Sequence, residues 1–313
     1  MVTGSFGQVG TELLESLVQI QGHSEVLATD IRIPDGDYEF ETEVLDVTDQ
    51  ERIRYLMKKH SVTSIFHLAA ILSALGERMP DRAFDVNLTG TFNILKAARD
   101  LGVEKVIIPS TIGVFGSETP RENVPAVTVE RPETMYGITK VAAELLSSYF
   151  RRSFSLDVRG VRYPGLISYK TLPSAGTTDY AVDMIRYAVA GKDYVCYLKP
   201  DTVLPMMYMP DAIKALLNVW LADGEKLRYA LEYNIQAFSF SPAMLEKELR
   251  AHFPDFRVDY RPDYRQGIAD SWPSSLDVTD AVRDWGFSCD YDFKTMVSDM
   301  IEHLEGKQTH GEK

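Results

Sequence analysis

The chain has 313 residues, with 33 Lys and Arg against 46 Asp and Glu, which gives a formal charge of −13 and a sequence pI near 5.0. This acidic balance argues against binding to nucleic acid or to an anionic membrane surface, because both need a basic face. The sequence has no apolar run of roughly 18 residues and no secretion signal, so we expect a cytoplasmic protein without a membrane span.

The first half of the chain alternates short apolar runs with helical patterns. The predicted strands are Glu25–Thr29, Ser64–Leu68, Lys105–Pro109 and Val158–Arg162. The predicted helices are Gln8–Gln21, Gln50–His60, Arg82–Leu101 and Thr139–Arg152. Strands that alternate with helices of this length predict βαβ units and a parallel sheet covered on both faces. The fold class is therefore α/β, a Rossmann-type doubly wound parallel sheet.

The second half has longer loops and more Pro and aromatic residues, which predicts a small α/β lobe at the carboxyl-terminal end. Its predicted elements are the helices Asp179–Ala190, Pro210–Ala222 and Pro242–His252 and the strands Val203–Met209 and Glu232–Phe238. We place the Rossmann domain at residues 1–165, with segments that return to it near 200–235. The lobe then takes most of 166–305, and the polar stretch 306–313 is predicted to be a flexible tail.

A glycine-rich turn lies at the start of the first predicted helix. Gly4, Gly7 and Gly10 form a GxxGxxG pattern, with Gln8 and Val9 between the last two glycines. Glycine lets the backbone approach a phosphate closely, and the helix start directs free N–H groups at the anion. Such turns are common, so the pattern alone is a weak signal. Only Met1–Thr3 precede it, so we expect either a very short first strand or a first strand whose upstream residues are missing from this sequence.

Asp30 strengthens the interpretation as a dinucleotide site, since it ends the second predicted strand 20 residues after Gly10. An acid there can accept hydrogen bonds from the adenosine ribose hydroxyls and repels a 2′-phosphate, which favours NAD over NADP. The alternative role of Asp30 is that of a turn or capping residue, and nearby Arg32 is the one feature that favours NADP.

Other residues near this predicted site are compatible with a cofactor but also with simple packing. Asp46 and Val47 follow the next apolar segment, where the acid can hold an adenine amino group or merely stabilise a turn. The small residues of Leu68-Ala69-Ala70 leave room for a cofactor across the sheet edge. We interpret His67 before them as a core histidine whose hydrogen bonds are satisfied.

The predicted catalytic pair is Tyr136 and Lys140, a YxxxK spacing that puts both side chains on one helix face. A phenol is a poor base at neutral pH, but a nearby ammonium and the positive ring of oxidised NAD favour its ionised form. Ser110 and Thr111 follow a predicted strand, at the end where open α/β sheets bind ligands. Their alternative role is to cap the next segment.

The order of these motifs resembles the extended short-chain dehydrogenase/reductase family, which includes the nucleotide-sugar epimerases. The resemblance covers roughly residues 1–300 and implies an NAD enzyme with Tyr136 as general base, assisted by Thr111 and Lys140. It also implies that Asn87 lies near the cofactor and that Tyr163-Pro164 contacts the nicotinamide amide.

Within the family, three further segments are similar to the branch that oxidises the β-hydroxyl of L-threonine. The resemblance assigns substrate contacts to Ser73, Gly176, Thr177, Thr178 and Trp272. Backbone N–H groups and hydroxyls at a helix start suit a carboxylate, although that segment is also a plain helix cap. The alternative is a nucleotide-sugar 4-epimerase or dehydratase of the same fold, and a regulator that only senses NAD is disfavoured by the catalytic set.

The resemblance also implies a homodimer in which the predicted helices Arg82–Leu101 and Thr139–Arg152 form a four-helix interface. Cys196 and Cys289 are expected to be free thiols in a reducing compartment. The spacing of the histidines and cysteines predicts no metal site, which also disfavours a zinc-dependent alcohol dehydrogenase.

Overall fold

The computed structural model describes residues 1–173 and 176–310, with side chains to residue 306. Within these residues the strands are β1 (Val2–Thr3), β2 (Leu27–Asp30), β3 (Glu41–Val44), β4 (Ser64–His67), β5 (Lys105–Ile107), β6 (Ser110–Thr111), β7 (Asp157–Arg159), β8 (Arg162–Tyr163), β9 (Gly165–Ile167), β10 (Tyr194–Cys196), β11 (Leu204–Tyr208), β12 (Phe238–Phe240) and β13 (Val258–Tyr260). The helices are α1 (Gln8–Gln21), α2 (Gln50–Lys59), α3 (Ser73–Arg78), α4 (Pro80–Phe84), α5 (Gly90–Leu101), α6 (Met135–Phe154), α7 (Tyr180–Val189), α8 (Met209–Leu221), α9 (Pro242–His252), α10 (Arg265–Asp270), α11 (Thr279–Trp285) and α12 (Phe293–His310).

The central sheet of the described residues is parallel, in the order β3-β2-β1-β4-β5-β7. The chain direction across the sheet reverses between β1 and β4, which is where doubly wound sheets bind their ligands. The predicted fold class is confirmed. Strand β3 was not predicted, because this edge strand is polar and partly exposed.

Two predicted helices differ from the structure in ways that matter for the site. The segment Arg82–Leu101 is not one helix, because a π-helical turn over Asp85–Thr89 separates α4 from α5. This turn places the Asn87 side chain against the backbone of Ile71, so the wider turn accompanies a tertiary contact. Helix α6 begins at Met135, four residues before the predicted start, with the Thr134 hydroxyl accepting from the Gly137 N–H.

The strand predicted at Val158–Arg162 is divided at Gly160. A side chain at Gly160 would place its Cβ 2.0 Å from the Ile108 carbonyl oxygen, so the backbones approach too closely for any other residue. The strand predicted at Glu232–Phe238 is wrong, since only a single bridge joins Asn234 to Arg162 and β12 begins at Phe238.

The second half contributes two further small sheets, ordered β12-β11-β9 and β10-β13. Short helices α3, α10 and α11 and the final helix α12 were not predicted. Helix α12 continues to His310 and so includes much of the segment expected to be a tail, whereas residues 311–313 lie outside the described part of the chain. An apolar core joins α1 and β1 to apolar residues of the segment 207–235.

Across the described helices, none combines the length and apolar character that crossing a membrane requires. Cys196 is buried, Cys289 is partly buried and both are free thiols, as predicted.

Candidate active site

A continuous cleft runs along the carboxyl ends of β1, β2, β4, β6 and β8. It consists of two joined cavities of about 390 and 770 Å³, which share residues of the glycine turn and of the loop after β4. The smaller cavity contains Tyr136, Lys140 and Trp272 in its wall, and the larger contains Asp30 and Asp46. The predicted catalytic and adenosine-binding residues therefore lie at opposite ends of one groove.

The glycine turn has the geometry that the sequence predicted. Gly4 has φ +66°, and a Cβ there would lie 2.7 Å from the Ala69 amide nitrogen. A Cβ on Gly10 would lie 2.4 Å from the Gly4 carbonyl oxygen, so the turn and α1 pack backbone to backbone. Gly7 precedes α1 and offers no side-chain cap, which leaves the N–H groups of the first helical turn directed at the cleft.

The two predicted carboxylates of the adenosine end differ in their surroundings. Asp30 accepts hydrogen bonds from the N–H groups of Phe6 and Ile31, at 3.0 and 2.7 Å. Asp46 accepts from Thr48 and pairs with Arg82 at 2.8 Å. Both line the larger cavity, and Asp30 braces the glycine turn through its bond from Phe6. The carboxylate of Asp46 is already engaged in holding α4.

Most of the remaining predicted cofactor residues also line the cleft. These are Gln8, Val9, Val47, Leu68, Ala69, Ala70, Ser110, Tyr163 and Pro164. Asn87 does not line either cavity, because its amide is turned to the Ile71 backbone at 2.7 and 3.0 Å and to Thr139 at 3.3 Å. It therefore fixes the loop that forms the cleft wall.

His67 is a buried histidine with both ring nitrogens in hydrogen bonds. Nδ1 lies 2.8 Å from the Thr3 hydroxyl and Nε2 lies 3.1 Å from the Thr91 hydroxyl. Burial and the nearby Lys140 lower the pKa of His67 to about 3, so the ring is neutral at physiological pH. The interpretation as a satisfied core histidine agrees with this geometry.

Tyr136 lies in the first turn of α6, with its ring against Gly113. A Cβ at Gly113 would lie 3.2 Å from two ring carbons, so glycine permits the phenol to sit this deep. Burial raises the pKa of Tyr136 to about 12, and a hydrogen bond with the Thr111 hydroxyl opposes that rise. Without a cofactor the Tyr136 phenol is therefore protonated. Formation of the predicted phenolate needs positive charge in addition to the Thr111 hydrogen bond.

Lys140 lies one turn further along α6 and borders the same cavity. Its Nζ donates to the Pro109 carbonyl oxygen at 2.8 Å and lies 5.9 Å from the centre of the Tyr136 ring. Burial lowers the pKa of Lys140 to about 8, against the attraction of Glu144. Lys140 is thus close enough to influence the pKa of the Tyr136 phenol. Its own hydrogen bond is to Pro109, the residue before Ser110.

The substrate end of the cleft is built from three distant segments. The hydroxyls of Ser73 and Thr177 lie 2.9 Å apart, and the indole of Trp272 forms part of the wall with an exposure of 5%. Gly176 and Thr178 line the same cavity at the start of α7. These five residues line one cavity together with Thr111 and Tyr136, the two other predicted substrate residues.

Sequence reasoning missed two residues in this region. Asp179 lines the cavity and accepts from the Gly176 N–H at 2.7 Å, directly after the threonines that were singled out. Arg121 donates to the carbonyl oxygens of Asp270 and Trp272, at 2.5 and 2.6 Å, and so anchors the tryptophan segment. Only a knowledge of tertiary contacts could have found Arg121, because 151 residues separate it from Trp272.

Comparison with known proteins agrees with a dinucleotide-binding cleft. The model of the NAD dependent epimerase/dehydratase family matches residues 1–235. The chain belongs to this family. An uncharacterized epimerase/dehydratase of Staphylococcus aureus strain USA300 is 44% identical over 313 residues, covering 99% of this chain and 97% of the relative. The cofactor is NAD, in agreement with the backbone cradle at Gly4 and Gly10 and with the carboxylate of Asp30.

Solved structures with the same architecture include L-threonine dehydrogenases. The holo form of the GalE-like L-threonine dehydrogenase from Cupriavidus necator has a TM-score of 0.95 at 43% identity, covering 97% of this chain and 98% of that one. Its apo form has a TM-score of 0.84, so this chain is more similar in shape to the holo form. A monomeric L-threonine 3-dehydrogenase from a metagenome has a TM-score of 0.95 at 43% identity, with 98% of both chains covered.

Proposed function

We propose that this protein oxidises the β-hydroxyl of L-threonine to 2-amino-3-oxobutanoate. The observation that carries the proposal is the wall formed by Ser73, Thr177 and Trp272 beside Tyr136, in a chain so similar to L-threonine dehydrogenases. The hydroxyl proton passes to Tyr136 and the Cβ hydrogen leaves as hydride, which balances one two-electron oxidation. Bound NAD supplies the hydride acceptor and a positively charged ring.

The residues of the chain have separate tasks in this proposal. Tyr136 is the general base, and the Thr111 hydroxyl lowers the pKa of the phenol and orients the reacting oxygen. Lys140 adds positive charge near the phenol and can also bind the nicotinamide ribose. Because the site is largely buried, each of these charges acts more strongly than it would in water.

The substrate wall suits a small polar molecule with a carboxylate. Thr177 and Thr178 present two hydroxyls just before α7, and the Ser73 hydroxyl faces that of Thr177. Trp272 offers an apolar surface for the substrate methyl group and excludes water from the reacting atoms.

We also propose that the protein is a homodimer in the cytoplasm. An exposed apolar face on α4, α5 and α6 supports this, with Phe84, Phe92, Ile138, Leu145 and Tyr149 each at least 43% exposed. Two free thiols are compatible with a reducing compartment. The relative described as monomeric makes the oligomeric state a question for measurement.

The function is tested by following NADH formation with L-threonine, L-serine, L-allo-threonine and 3-hydroxybutyrate, each with NAD and with NADP. We expect turnover with L-threonine and NAD, and its loss in Tyr136→Phe with NAD binding retained, because general-base catalysis contributes about 10²–10⁴-fold. The matched control is Tyr149→Phe, on the exposed side of the same helix. Conversion of UDP-galactose without L-threonine oxidation would instead identify a 4-epimerase.

A further inference from the structure

Helix α6 carries a third ionisable side chain on the face that bears Tyr136 and Lys140. Glu144 follows Lys140 by four residues, as Lys140 follows Tyr136, and residues at this spacing are neighbours on a helix. Glu144 is only 1% exposed. An ionised carboxylate at such a depth requires strong partners, so its contacts indicate why the chain places it there.

Glu144 is held by a pair of bonds from Arg162. Nε and Nη2 of this arginine donate to the two carboxylate oxygens at 2.8 and 2.6 Å, and the arginine itself is fully buried. The bidentate geometry fixes the position of the Glu144 carboxylate and pairs it with a guanidinium that is always charged. Arg162 also binds Glu130 at 2.5 Å, so the guanidinium has a second carboxylate that does not depend on Glu144.

The carboxylate oxygen of Glu144 that accepts from Arg162 Nε also contacts strand β6. The Ser110 hydroxyl donates to Glu144 at 2.5 Å, and Ser110 precedes Thr111 on β6. Strand β6 pairs with β8 so that Ser110 lies opposite Arg162 and Thr111 opposite Tyr163. One carboxylate therefore links α6 to the strand that carries the Thr111 hydroxyl.

Lys140 depends on Glu144 for electrostatic support. The titratable groups that face Lys140 are Tyr136 and Glu144 on α6, His67 on β4 and Tyr163 on β8, while Asp179 borders the same cavity. Burial lowers the pKa of His67 and raises that of Tyr163, so neither is charged near neutral pH. Glu144 supplies the attraction that opposes the effect of burial on the Lys140 ammonium.

We propose that Glu144 is a positioning residue that keeps Lys140 cationic and holds Ser110 and Thr111 against the helix that bears Tyr136. The proposal deepens the function proposed above, since it explains how the base and its partners are maintained. The charge of Lys140 can be measured without any substrate, so this inference and the proposed reaction can fail separately.

The direct test is a titration of Lys140 by NMR in protein with ¹³C at the lysine ε-carbons, with Lys140→Arg used to assign the signal. We expect Glu144→Gln to lower the pKa of Lys140 by about one unit, the lower end of the shifts that a neighbouring opposite charge produces. The matched control is Glu130→Gln, which also removes a carboxylate from Arg162 but has no bond to Ser110. An unchanged Lys140 in Glu144→Gln, or an equal shift in Glu130→Gln, overturns the proposal.

The kinetic readout is the pH profile of kcat/KM for L-threonine. Loss of the Lys140 ammonium at high pH should end activity, so we expect the high-pH limb to move to lower pH in Glu144→Gln and to stay in place in Glu130→Gln. If neither the parent nor any variant oxidises L-threonine, the proposed reaction is wrong. The NMR titration still decides the role of Glu144 in that case.

Glu144→Gln leaves Arg162 with one carboxylate partner instead of two, and removal of a buried partner is strongly destabilising. If this variant does not fold, Glu144→Gln/Arg162→Met removes both charges and leaves no unpaired guanidinium. The Lys140 pKa should be lower in this double variant than in Arg162→Met, where Glu144 is retained, and equal values in these two variants overturn the proposal.

Discussion

The hydroxyl oxygens of Ser73 and Thr177 lie 2.9 Å apart, although 104 residues separate them in the chain. This contact closes one side of the proposed substrate wall. Replacing Ser73 with Ala removes one hydrogen-bonding group, so we expect the KM for L-threonine to rise about tenfold. This rise corresponds to a loss of roughly 1.4 kcal/mol of binding free energy. The affinity for NAD should not change. The control is Ser148→Ala, which removes a serine hydroxyl on α6 that does not line the cleft. A fall in NAD affinity without an effect on KM for L-threonine would place Ser73 at the cofactor instead.

The Thr111 hydroxyl lowers the pKa of Tyr136 through a hydrogen bond. Thr111→Val removes that bond, so the pKa of the phenol should rise and more hydroxide is needed to ionise it. We therefore expect the low-pH limb of kcat against pH to move to higher pH. Thr111→Ser keeps the hydroxyl and should leave the limb unchanged. Equal profiles for the Val and Ser variants would show that the hydroxyl does not act on the base.

Asp30 is expected to select NAD through its carboxylate at the adenosine end. Asp30→Ser should raise the KM for NAD and improve the use of NADP, because the charge that repels a 2′-phosphate is lost. The measurement is the ratio of kcat/KM for the two cofactors. Asp35→Asn is the control, since this residue lines the same cavity but follows the strand in an exposed loop. An unchanged cofactor ratio in Asp30→Ser would assign it only to bracing the glycine turn.

His67 couples the stability of the fold to pH. Its pKa is about 3 in the folded chain and 6.5 for an ordinary histidine, so the unfolded chain binds an additional proton between these values. Stability is therefore fully present above pH 6.5 and is lost as the pH falls toward 3. We expect the free energy of unfolding, measured by urea titration, to fall less steeply between pH 6 and pH 4 in His67→Gln than in the parent. The two slopes should differ by up to about 1.4 kcal/mol per pH unit. His23→Gln, with an exposed ring, should keep the parent slope.

The exposed apolar face on α4, α5 and α6 makes the oligomeric state testable. Leu145 is 66% exposed at its centre, and Leu145→Glu should dissociate a dimer that uses this face. Light scattering coupled to gel filtration gives the mass of each variant. Leu221→Glu, which is 60% exposed on α8, is the matched control. A parent chain that is already monomeric at all concentrations contradicts the proposed dimer.

Local signals were sufficient to predict the parts of the site that lie within one turn or one helix. The glycine turn with φ +66° at Gly4 and the Tyr136–Lys140 pair on α6 both follow from short spacings whose geometry is set by the backbone. The alternation of strands and helices likewise predicted a parallel sheet covered by helices, because βαβ units place their helices on the faces of the sheet.

Contacts between distant segments could not be predicted in the same way. The family resemblance predicts that Asn87 lies near the cofactor. In the structure a π-helical turn directs its amide to the Ile71 backbone. The Glu144–Arg162 pair is invisible until β8 is placed beside α6, because nothing in the spacing of 18 residues requires the two charges to meet. Such burial depends on the whole core, whereas a turn depends on a few dihedral angles.

The separation of the two ends of the cleft has a consequence for how new enzymes arise on this scaffold. The wall formed by Ser73, Thr177 and Trp272 comes from loops and helix starts outside the glycine turn, and none of the three residues lines the larger cavity that contains Asp30. Point changes in those loops can therefore exchange one metabolite for another while the machinery for hydride transfer is inherited intact.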